Sequence, residues 1–247
     1  MNVYEMTVPV SIAYYCPSNY LQYTQDQEAM LDYIGEHTKN VHHVKIFNQL
    51  LKHRDEDIYY RTDHHWSLLG AYYAAEAFAK EAGVDFKDLS TYTTQTYDGF
   101  VGSMYSFTQD PVLLNNPDQF ITYEPDVNYD VKYYDMSFER GDYTWTDLLF
   151  SSPDTGYYAS IIGGDQHITK ITSDVKNGRK LCIFKDSYGN ALVPFLIGSF
   201  EEIYIVDVRY FEGDAVSFVQ EQGITDTLFA MCIFKVTSYD PAFVLMN

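Results

Sequence analysis

Short runs of apolar residues near both ends of the chain predict the strands of one sheet. At the amino end, residues 6–12 alternate Val8, Val10 and Ile12 with shorter side chains, which is typical of a strand. In the last third, apolar runs at residues 181–184, 203–206 and 227–234 are separated by segments that can cross over as helices. This spacing favours a parallel sheet with both faces covered, and therefore the α/β class.

Two stretches between these ends have the pattern of helices. Residues 26–36 predict a first helix, and residues 67–82 predict the clearest one, which ends before the stop signal Gly83. A strand-like run at residues 58–60 precedes this second helix and leads into a polar string. The second helix carries a face of apolar and mostly small residues: Leu68, Ala71, Ala74, Ala75, Phe78 and Ala79.

The middle of the chain, residues 98–156, differs in composition from both ends. It is rich in Tyr, Asp, Gly, Pro and Asn, with short candidate strands at residues 120–123 and 131–134. We therefore predict a single domain, residues 1–247, with an insertion of loops and antiparallel strands at about residues 98–156. We expect this insertion to fold over the strand ends that carry Ser187 and to form a groove lined by tyrosines and Trp145.

Charge and cysteine content narrow the function classes. The 247 residues contain 16 Lys and Arg against 35 Asp and Glu, a formal net charge of -19, which argues against a nucleic-acid partner. The three cysteines form no CxxC pair and indicate neither a disulfide framework nor a zinc site. No apolar run approaches the roughly 20 residues that span a bilayer, and the amino end lacks the pattern of a signal peptide. The sequence fits either a cytoplasmic protein or a fragment whose export segment has been removed.

Two short strings carry the candidate chemistry. In Thr62-Asp63-His64-His65-Trp66, a carboxylate and two imidazoles stand immediately before the second helix. In residues 184–190, Ser187 follows a buried strand and precedes a turn that contains glycine. A serine at a strand end, together with a histidine and an aspartate, supplies the groups for nucleophilic acyl transfer. Three alternatives remain: the histidines cap the helix and pack, they bind a metal ion with Asp63, or Ser187 is an ordinary turn residue.

The same strings, with four other segments, resemble the bacterial DHHW protein family. Through that family the chain is similar to the SGNH-hydrolase-like domains of alginate-type O-acetyltransferases. The resemblance implies a three-layer α/β/α fold, with Asp63 as orienting acid, His65 as general base and Ser187 as nucleophile. Because neighbouring side chains point in different directions, we expect His64 to be a structural hydrogen-bond partner. The segments that carry it are residues 60–66 with 70–71, 100–105, 163–164, 185–190 with 194–196, and 205–210.

The oxyanion of such a reaction needs N–H donors near the nucleophile. We expect the Ser187 N–H to be the first donor and Gly163 or Gly164 to supply the second. Members of the family often have an amide after the glycine pair, whereas Asp165 stands there in this chain and cannot donate when ionised. Further candidate substrate contacts are Asn190, Arg209 and Tyr188. Arg209 follows a predicted strand, and its alternative role is a salt bridge to Asp207 or Asp186.

The resemblance implies a serine-dependent esterase or O-acetyltransferase that acts on a cell-surface polysaccharide through an acyl-serine. It implies no cofactor, an O-acylated glycan as partner, a separate acyl-donor protein as a further partner, and an extracellular or cell-envelope location. The 24 tyrosines are compatible with a carbohydrate groove, although tyrosines also build strands and packed loops. The alternative function is a non-catalytic carbohydrate-binding protein on a decayed hydrolase scaffold.

Overall fold

The computed structural model describes residues 1–134, 143–146, 149–150 and 156–238, with the backbone alone at 143–146. The strands are β1 Asn2–Val8, β2 His42–His43, β3 Thr93–Phe100, β4 Asp118–Glu124, β5 Tyr129–Tyr134, β6 Tyr143–Thr146, β7 Ile168–Ser173, β8 Lys180–Lys185, β9 Glu202–Asp207 and β10 Asp226–Cys232. The main sheet has eight strands in the order β2-β1-β10-β8-β9-β7-β5-β6, and β3 pairs with β4 in a separate antiparallel ribbon.

The helices of the described residues cover the sheet and connect its strands. They are α1 Ile12–Tyr15, α2 Gln27–His37, α3 Phe47–Lys52, α4 Leu68–Ala82, α5 Ser103–Thr108, α6 Pro111–Asn115, α7 Val193–Leu196, α8 Ala215–Glu221 and α9 Ile233–Thr237. Short 3₁₀ turns lie at Leu21–Tyr23, Leu89–Thr91, Tyr157–Ser160 and Ser187–Leu192. No helix in these ranges combines the length and the apolar character that crossing a membrane requires.

The three-layer arrangement follows from the alternation of side chains along the central strands. In β8, Leu181 and Ile183 belong to the core cluster that includes residues of α4 and α7. Cys182 and Phe184 point the other way and belong to a second cluster with residues of α8. Because successive side chains of a strand face opposite sides, a strand that is apolar at every position requires cover on both faces. The predicted α/β class, with cover on both faces of the sheet, is confirmed.

The predicted helices are found close to their expected ends. The carboxylate of Asp26 accepts the N–H of Ala29 at the start of α2. The hydroxyl of Ser67 accepts the N–H of Gly70 at the start of α4. Gly83 ends α4 in the left-handed region, at φ 65°, where a residue without Cβ is favoured.

The sheet itself differs from the prediction in direction and extent. Strands β2, β1, β10, β8 and β9 run parallel to one another, whereas β7 pairs antiparallel with both β9 and β5. The first strand ends at Val8, because Pro9 has no N–H to continue the ladder, and Ile12 begins α1. The last predicted strand is also shorter, since Ile233 begins α9.

The middle segment contributes to the sheet edge and to the separate ribbon. The candidate strand at 120–123 lies within β4, and the one at 131–134 lies within β5. The two strands β5 and β6 continue the main sheet beyond β7. Residues 135–142, 147–148 and 151–155 and the Trp145 side chain lie outside the described part, so the predicted single-domain organisation and groove stay predictions.

Candidate functional site

A narrow loop between two paired residues presents the Asp63-His64-His65 string. Tyr59 and Trp66 form an isolated antiparallel bridge, which brings the ends of the loop together. Trp66 is fully buried, and its indole N–H donates to the carbonyl of Tyr188 at 3.0 Å. This bond ties the loop to the 3₁₀ turn that begins with Ser187, 122 residues later in the chain.

Asp63, His65 and Ser187 form a continuous chain of hydrogen bonds. The Nδ1 of His65 lies 2.6 Å from Oδ1 of Asp63, and its Nε2 lies 2.8 Å from Oγ of Ser187. Because an ionised carboxylate only accepts, Nδ1 carries the proton and donates it to Asp63. The free electron pair of Nε2 then accepts the hydroxyl proton of Ser187. The structure thus brings together the three residues that the sequence predicts as acid, base and nucleophile.

Three N–H groups hold the Asp63 carboxylate in this position. Oδ1 also accepts the backbone N–H of His65 at 3.0 Å, and Oδ2 accepts that of Ser103 at 2.8 Å. Burial alone would raise the pKa of Asp63, but the bond and charge of His65 and the Ser103 N–H lower it well below its ordinary value of 3.8. Gly102 lies against this carboxylate: an added Cβ would stand 2.4 Å from its Cβ and Oδ2.

Tyr158 packs against the His65 ring and also contacts the serine. The two rings stack with their centroids 3.8 Å apart and an angle of 7° between their planes. The Tyr158 hydroxyl donates to the backbone carbonyl of Ser187 at 3.1 Å. Burial raises the pKa of Tyr158 well above its usual range, so the phenol remains a neutral donor. One side chain therefore restrains both the imidazole and the residue that it faces.

Ser187 lies at the carboxyl end of β8, where a tight turn begins. Asp186 fixes this turn, because its carboxylate accepts the N–H of Tyr188 at 3.0 Å and that of Cys232 at 2.9 Å. Gly189 is required sterically, since an added Cβ would stand 2.4 Å from the Cβ of Lys185. Groups that follow adjacent parallel strands collect at the same sheet edge, which is where ligands bind in α/β proteins.

A cluster of charges lies beside this turn, at the ends of β8 and β9. The Lys185 ammonium contacts Asp207 at 2.7 Å, and both side chains are completely buried. The Arg209 guanidinium binds Asp207 at 2.6 Å and Asp165 at 2.9 Å. Burial would raise the pKa of Asp207, but the bond from Arg209 and the charge of Lys185 lower it. Two cations and two anions thus neutralise one another next to the candidate nucleophile.

The remaining predicted contact residues lie around the same edge. Gly163 and Gly164 both have left-handed backbones, at φ 69° and 78°. The Gly164 N–H donates to the carbonyl of Ile161 at 2.8 Å and is occupied, so Gly163 is left as the candidate second donor. The Asn190 amide donates to Asp165 at 3.2 Å and, at 3.4 Å, to the carbonyl of Gly164.

Two predicted substrate contacts are engaged within the protein. Tyr188 is buried, and its hydroxyl donates to the backbone carbonyl of His64. The phenol of Tyr188 therefore contacts the loop that carries His64. Arg209 forms the salt bridge to Asp207 that the sequence left as its alternative, and it adds one to Asp165 in place of Asp186.

Comparison with known proteins gives the chain a family. The model of the DHHW protein family matches residues 1–206. The chain belongs to the DHHW family. A crystal structure of a DHHW family protein from Eubacterium siraeum DSM 15702 is 46% identical, with a TM-score of 0.94 over 99% of this chain and 82% of that chain. No protein in the curated collection of sequences matches.

Two more distant structures share the fold of this DHHW protein. PatB1 of Bacillus cereus, solved with a sulfonyl adduct, is 20% identical with a TM-score of 0.75, covering 100% of this chain and 83% of that chain. The O-acetyltransferase domain of Pseudomonas putida AlgJ is 14% identical with a TM-score of 0.54, covering 99% and 82%. At these identities the likeness shows the shared SGNH-like α/β fold alone.

Several contacts of this DHHW site were not predicted. The backbone of Gly102 and Ser103 receives Asp63, and the segment 100–105 that contains them contributed to the resemblance without any assigned role. The stacking of Tyr158 on His65 had no sequence signal, because one tyrosine among 24 is not distinguishable. The full burial of Lys185 was equally unexpected, since a lysine at a strand end usually reaches solvent.

The metal alternative can be tested against the bonds around the string. Ligand-type atoms of Asp63, His64 and His65 lie within 4.8 Å of one another. However, the Nδ1 of His65 bonds to Asp63, and the Nδ1 of His64 bonds to the hydroxyl of Ser103. With its Nε2 on Ser187, His65 has both ring nitrogens in use. The bonding therefore fits a proton relay better than a set of ligands.

Proposed function

We propose that this DHHW protein transfers an acyl group through Ser187, with His65 as general base and Asp63 as the group that orients His65. The observation that carries the proposal is the chain of hydrogen bonds at 2.6 and 2.8 Å, in which the imidazole links a buried carboxylate to a serine hydroxyl. Such a chain of bonds is the geometric requirement for activating a serine hydroxyl, which is a weak nucleophile by itself.

In the first half-reaction, Oγ of Ser187 attacks the acyl carbonyl carbon while its proton passes to Nε2 of His65. The resulting imidazolium is stabilised by the Asp63 carboxylate, which keeps its charge. The tetrahedral intermediate collapses, the bond to the leaving oxygen breaks, and His65 returns the proton to that oxygen. The products are an acyl-serine and a free alcohol.

In the second half-reaction, a hydroxyl group attacks the acyl-serine and transfers its own proton to His65. When Oγ leaves, it takes this proton back, and Ser187 is restored. Water as acceptor gives hydrolysis, and a sugar hydroxyl gives transfer. Both outcomes use the same residues, so the difference lies in how well a sugar hydroxyl is positioned.

The oxyanion of both intermediates needs donors that are already in place. We propose the Ser187 N–H as the first, because the first N–H groups of a helical turn have no partner within the turn. We propose Gly163 as the second, in agreement with the engagement of the Gly164 N–H elsewhere. Asn190 and Arg209 border this edge, where we propose that they contact the substrate.

As substrate we propose an O-acetylated or otherwise O-acylated cell-surface polysaccharide, with a separate acyl-donor protein as a further partner and the cell envelope as location. The shared fold supports this choice, since AlgJ is described as having an O-acetyltransferase domain. Helix α5 supports this choice too, because it begins next to the loop that carries Asp63, His64 and His65. Its Phe107 side chain is 75% exposed and lies beside His64. An exposed aromatic ring can stack on a sugar face.

Labelling with a fluorophosphonate probe tests the nucleophile. We expect the probe to label the wild type and to lose this reaction in Ser187→Ala, together with the hydrolysis of p-nitrophenyl acetate. Ser217→Ala is the matched control, because Ser217 is exposed on α8, where the carboxylate of Asp214 accepts its backbone N–H in the cap of that helix. Labelling that survives in Ser187→Ala contradicts the proposal. A wild type that neither reacts with the probe nor hydrolyses the ester also contradicts it and favours a binding protein.

Transfer and hydrolysis are separated by adding an acceptor. With p-nitrophenyl acetate as donor, oligosaccharides of bacterial surface polysaccharides are supplied at increasing concentration, and acetylated products are measured by mass spectrometry. A transferase produces acetylated oligosaccharide at the expense of acetate, whereas an esterase releases acetate at any acceptor concentration. A chelator added to either assay should leave the rates unchanged, and a strong loss of activity would favour the metal alternative.

A further inference from the structure

His64 has a defined place next to the proposed base. The centroid of its ring lies 3.7 Å from that of His65, at an angle of 37° between the planes. Tyr158 already stacks on His65 at 3.8 Å. Two rings this close cannot share one face of an imidazole without overlapping, so they cover opposite faces. His65 is therefore held between Tyr158 and His64.

Ser103 determines how the His64 ring is oriented and where its proton lies. The Ser103 hydroxyl accepts the backbone N–H of His64 at 3.2 Å and also bonds to Nδ1 of the His64 ring. The Ser103 oxygen has one proton and two lone pairs, so it can accept this N–H and also donate to Nδ1, and we assign its proton to that bond. Nδ1 is then an acceptor, and the neutral ring carries its proton on Nε2. The backbone of Ser103 meanwhile binds Asp63, so one residue positions both the acid and the second histidine.

The surroundings of His64 contain charges of both signs. On its own loop it faces His65 and, with Nδ1 at 3.8 Å, the carboxylate of Asp63. The 3₁₀ turn contributes Asp186 and the phenol of Tyr188, the following glycine turn contributes Asp165, and α5 contributes only the uncharged Ser103 and Phe107. Burial and the neighbouring His65 lower the pKa of His64 below 6.5, although the three carboxylates oppose this shift.

We propose that His64 is a positioning residue: its neutral ring closes the second face of His65 and holds it against Tyr158, and protonation of His64 ends this hold. The proposal rests on the proposed function, because it assigns His64 a part in keeping the base in line with Ser187. The physical reason is charge. His65 becomes a cation in each half-reaction, and a second cation stacked on it would destabilise that state. A neutral imidazole in the same place adds packing without repulsion.

Two variants separate the ring from its hydrogen bond. His64→Phe keeps a flat ring and cannot be protonated, whereas His64→Asn keeps an acceptor for Ser103 and removes the ring. At neutral pH we expect kcat/KM for p-nitrophenyl acetate to fall about tenfold in His64→Asn and about threefold or less in His64→Phe, which corresponds to the loss or retention of an aromatic pair. His37→Asn is the control, because the exposed His37 stacks on Tyr33 far along the chain from the site.

The pH profile is the measurement that a merely structural role would not change. The ratio of variant to wild-type kcat/KM should rise by about threefold or more from about pH 7 to about pH 5, because only the wild type has a second group whose protonation inactivates. The His37→Asn ratio should stay constant. A ratio that is constant for both His64 variants, or a His64→Asn variant as active as the wild type at neutral pH, overturns the proposal.

Imidazole ¹⁵N NMR gives a result that does not depend on activity. We expect His64 at neutral pH to be a neutral Nε2–H tautomer in the wild type and to lose this preference in Ser103→Ala. A His64 that is an Nδ1–H tautomer, or whose pKa is not below its ordinary value of 6.5, overturns the positioning proposal. Failure of the proposed function is recognised separately, as a wild type that the fluorophosphonate probe does not label.

Discussion

Replacing Asp63 by asparagine tests the proposed relay most directly, because the shape is kept and only charge and one acceptor change. The carboxylate accepts from three N–H groups: His65 Nδ1–H and His65 N–H on Oδ1, and Ser103 N–H on Oδ2. An amide has one acceptor oxygen and one NH₂ group, so it cannot satisfy both positions. Either orientation of the new amide places two donors face to face.

The two orientations damage the site in different ways. With the NH₂ group at the Oδ1 position, the imidazole must move its proton to Nε2, and it no longer accepts from Ser187. With the NH₂ group at the Oδ2 position, the tautomer survives, but the Ser103 N–H at 2.8 Å loses its acceptor and the imidazolium loses its counter-charge. We expect turnover to fall by about 10³ to 10⁴, as is typical for loss of a triad carboxylate. One buried donor left unpaired costs about 1 to 3 kcal/mol of folding free energy.

Stability against pH provides a second, independent measurement. The folded-state pKa of Asp63 is below its ordinary value of 3.8, so its stabilising contribution is complete above 3.8 and is lost as the pH falls through the folded-state pKa. Urea denaturation of the wild type and Asp63→Asn should therefore differ most at neutral pH and converge in acid. The asparagine variant has no group there that titrates.

Asp55→Asn is the control, because Asp55 is 97% exposed and undergoes the same chemical change. It should leave p-nitrophenyl acetate hydrolysis and the urea midpoint unchanged, since exposed charges contribute little. If a folded Asp63→Asn protein keeps more than about a tenth of wild-type turnover, the tautomer argument is refuted. If the stability difference is as large at pH 3 as at pH 7, the assignment of Asp63 as a buried, ionised acceptor is wrong.

Two further predictions concern the surroundings of the relay. Gly102→Ala should reduce both turnover and the urea midpoint, because its Cβ would stand 2.4 Å from Asp63; normal turnover would show that the loop yields at no cost. Lys185→Met should destabilise the protein by about 3 kcal/mol in urea denaturation, because it leaves Asp207 buried with Arg209 as its remaining cation among the described residues. Lys45→Met, at an exposed lysine paired with Asp32, is the control with little expected change, and equal effects of the two would contradict the role of burial.

The sequence predicted those parts of the fold that depend on local pattern. α4 begins and ends where Ser67 and Gly83 indicate, because capping and left-handed geometry are decided by single residues. Strands β8 and β9 are found within one or two residues of their apolar runs, since only apolar side chains can be buried on both faces. Strand direction is a different matter. In β7 the apolar residues Ile168 and Ile171 stand three apart and do not alternate, and nothing in residues 168–173 indicates whether the neighbouring strand is parallel or antiparallel.

For the site, the limit is set by contacts between distant segments. Asp63, His65 and Ser187 were predicted because a serine at a strand end with a histidine and an aspartate suits acyl transfer, and because the resemblance to the DHHW family assigned the three roles. Tyr158 could not be found in this way, because it acts through the stacking of its ring on His65, and the sequence does not show where that ring is placed. Asn190 and Asp165 illustrate the same limit: each is polar, and their mutual bond of 3.2 Å depends on how two turns meet.

The four residues of the family string have connected physical roles in the proposed mechanism. Asp63 orients the imidazole of His65, and His64 covers the face of that ring opposite Tyr158. Trp66 is buried beneath them, and its N–H binds the carbonyl next to Ser187. Because base and nucleophile are 122 residues apart, their 2.8 Å contact depends on such a tie between the two segments. The side chains that align the base, and the Trp66 side chain that attaches the loop to the turn of Ser187, must be carried by one rigid piece of backbone. We therefore expect, on physical grounds, that these four residues are consecutive in the sequence.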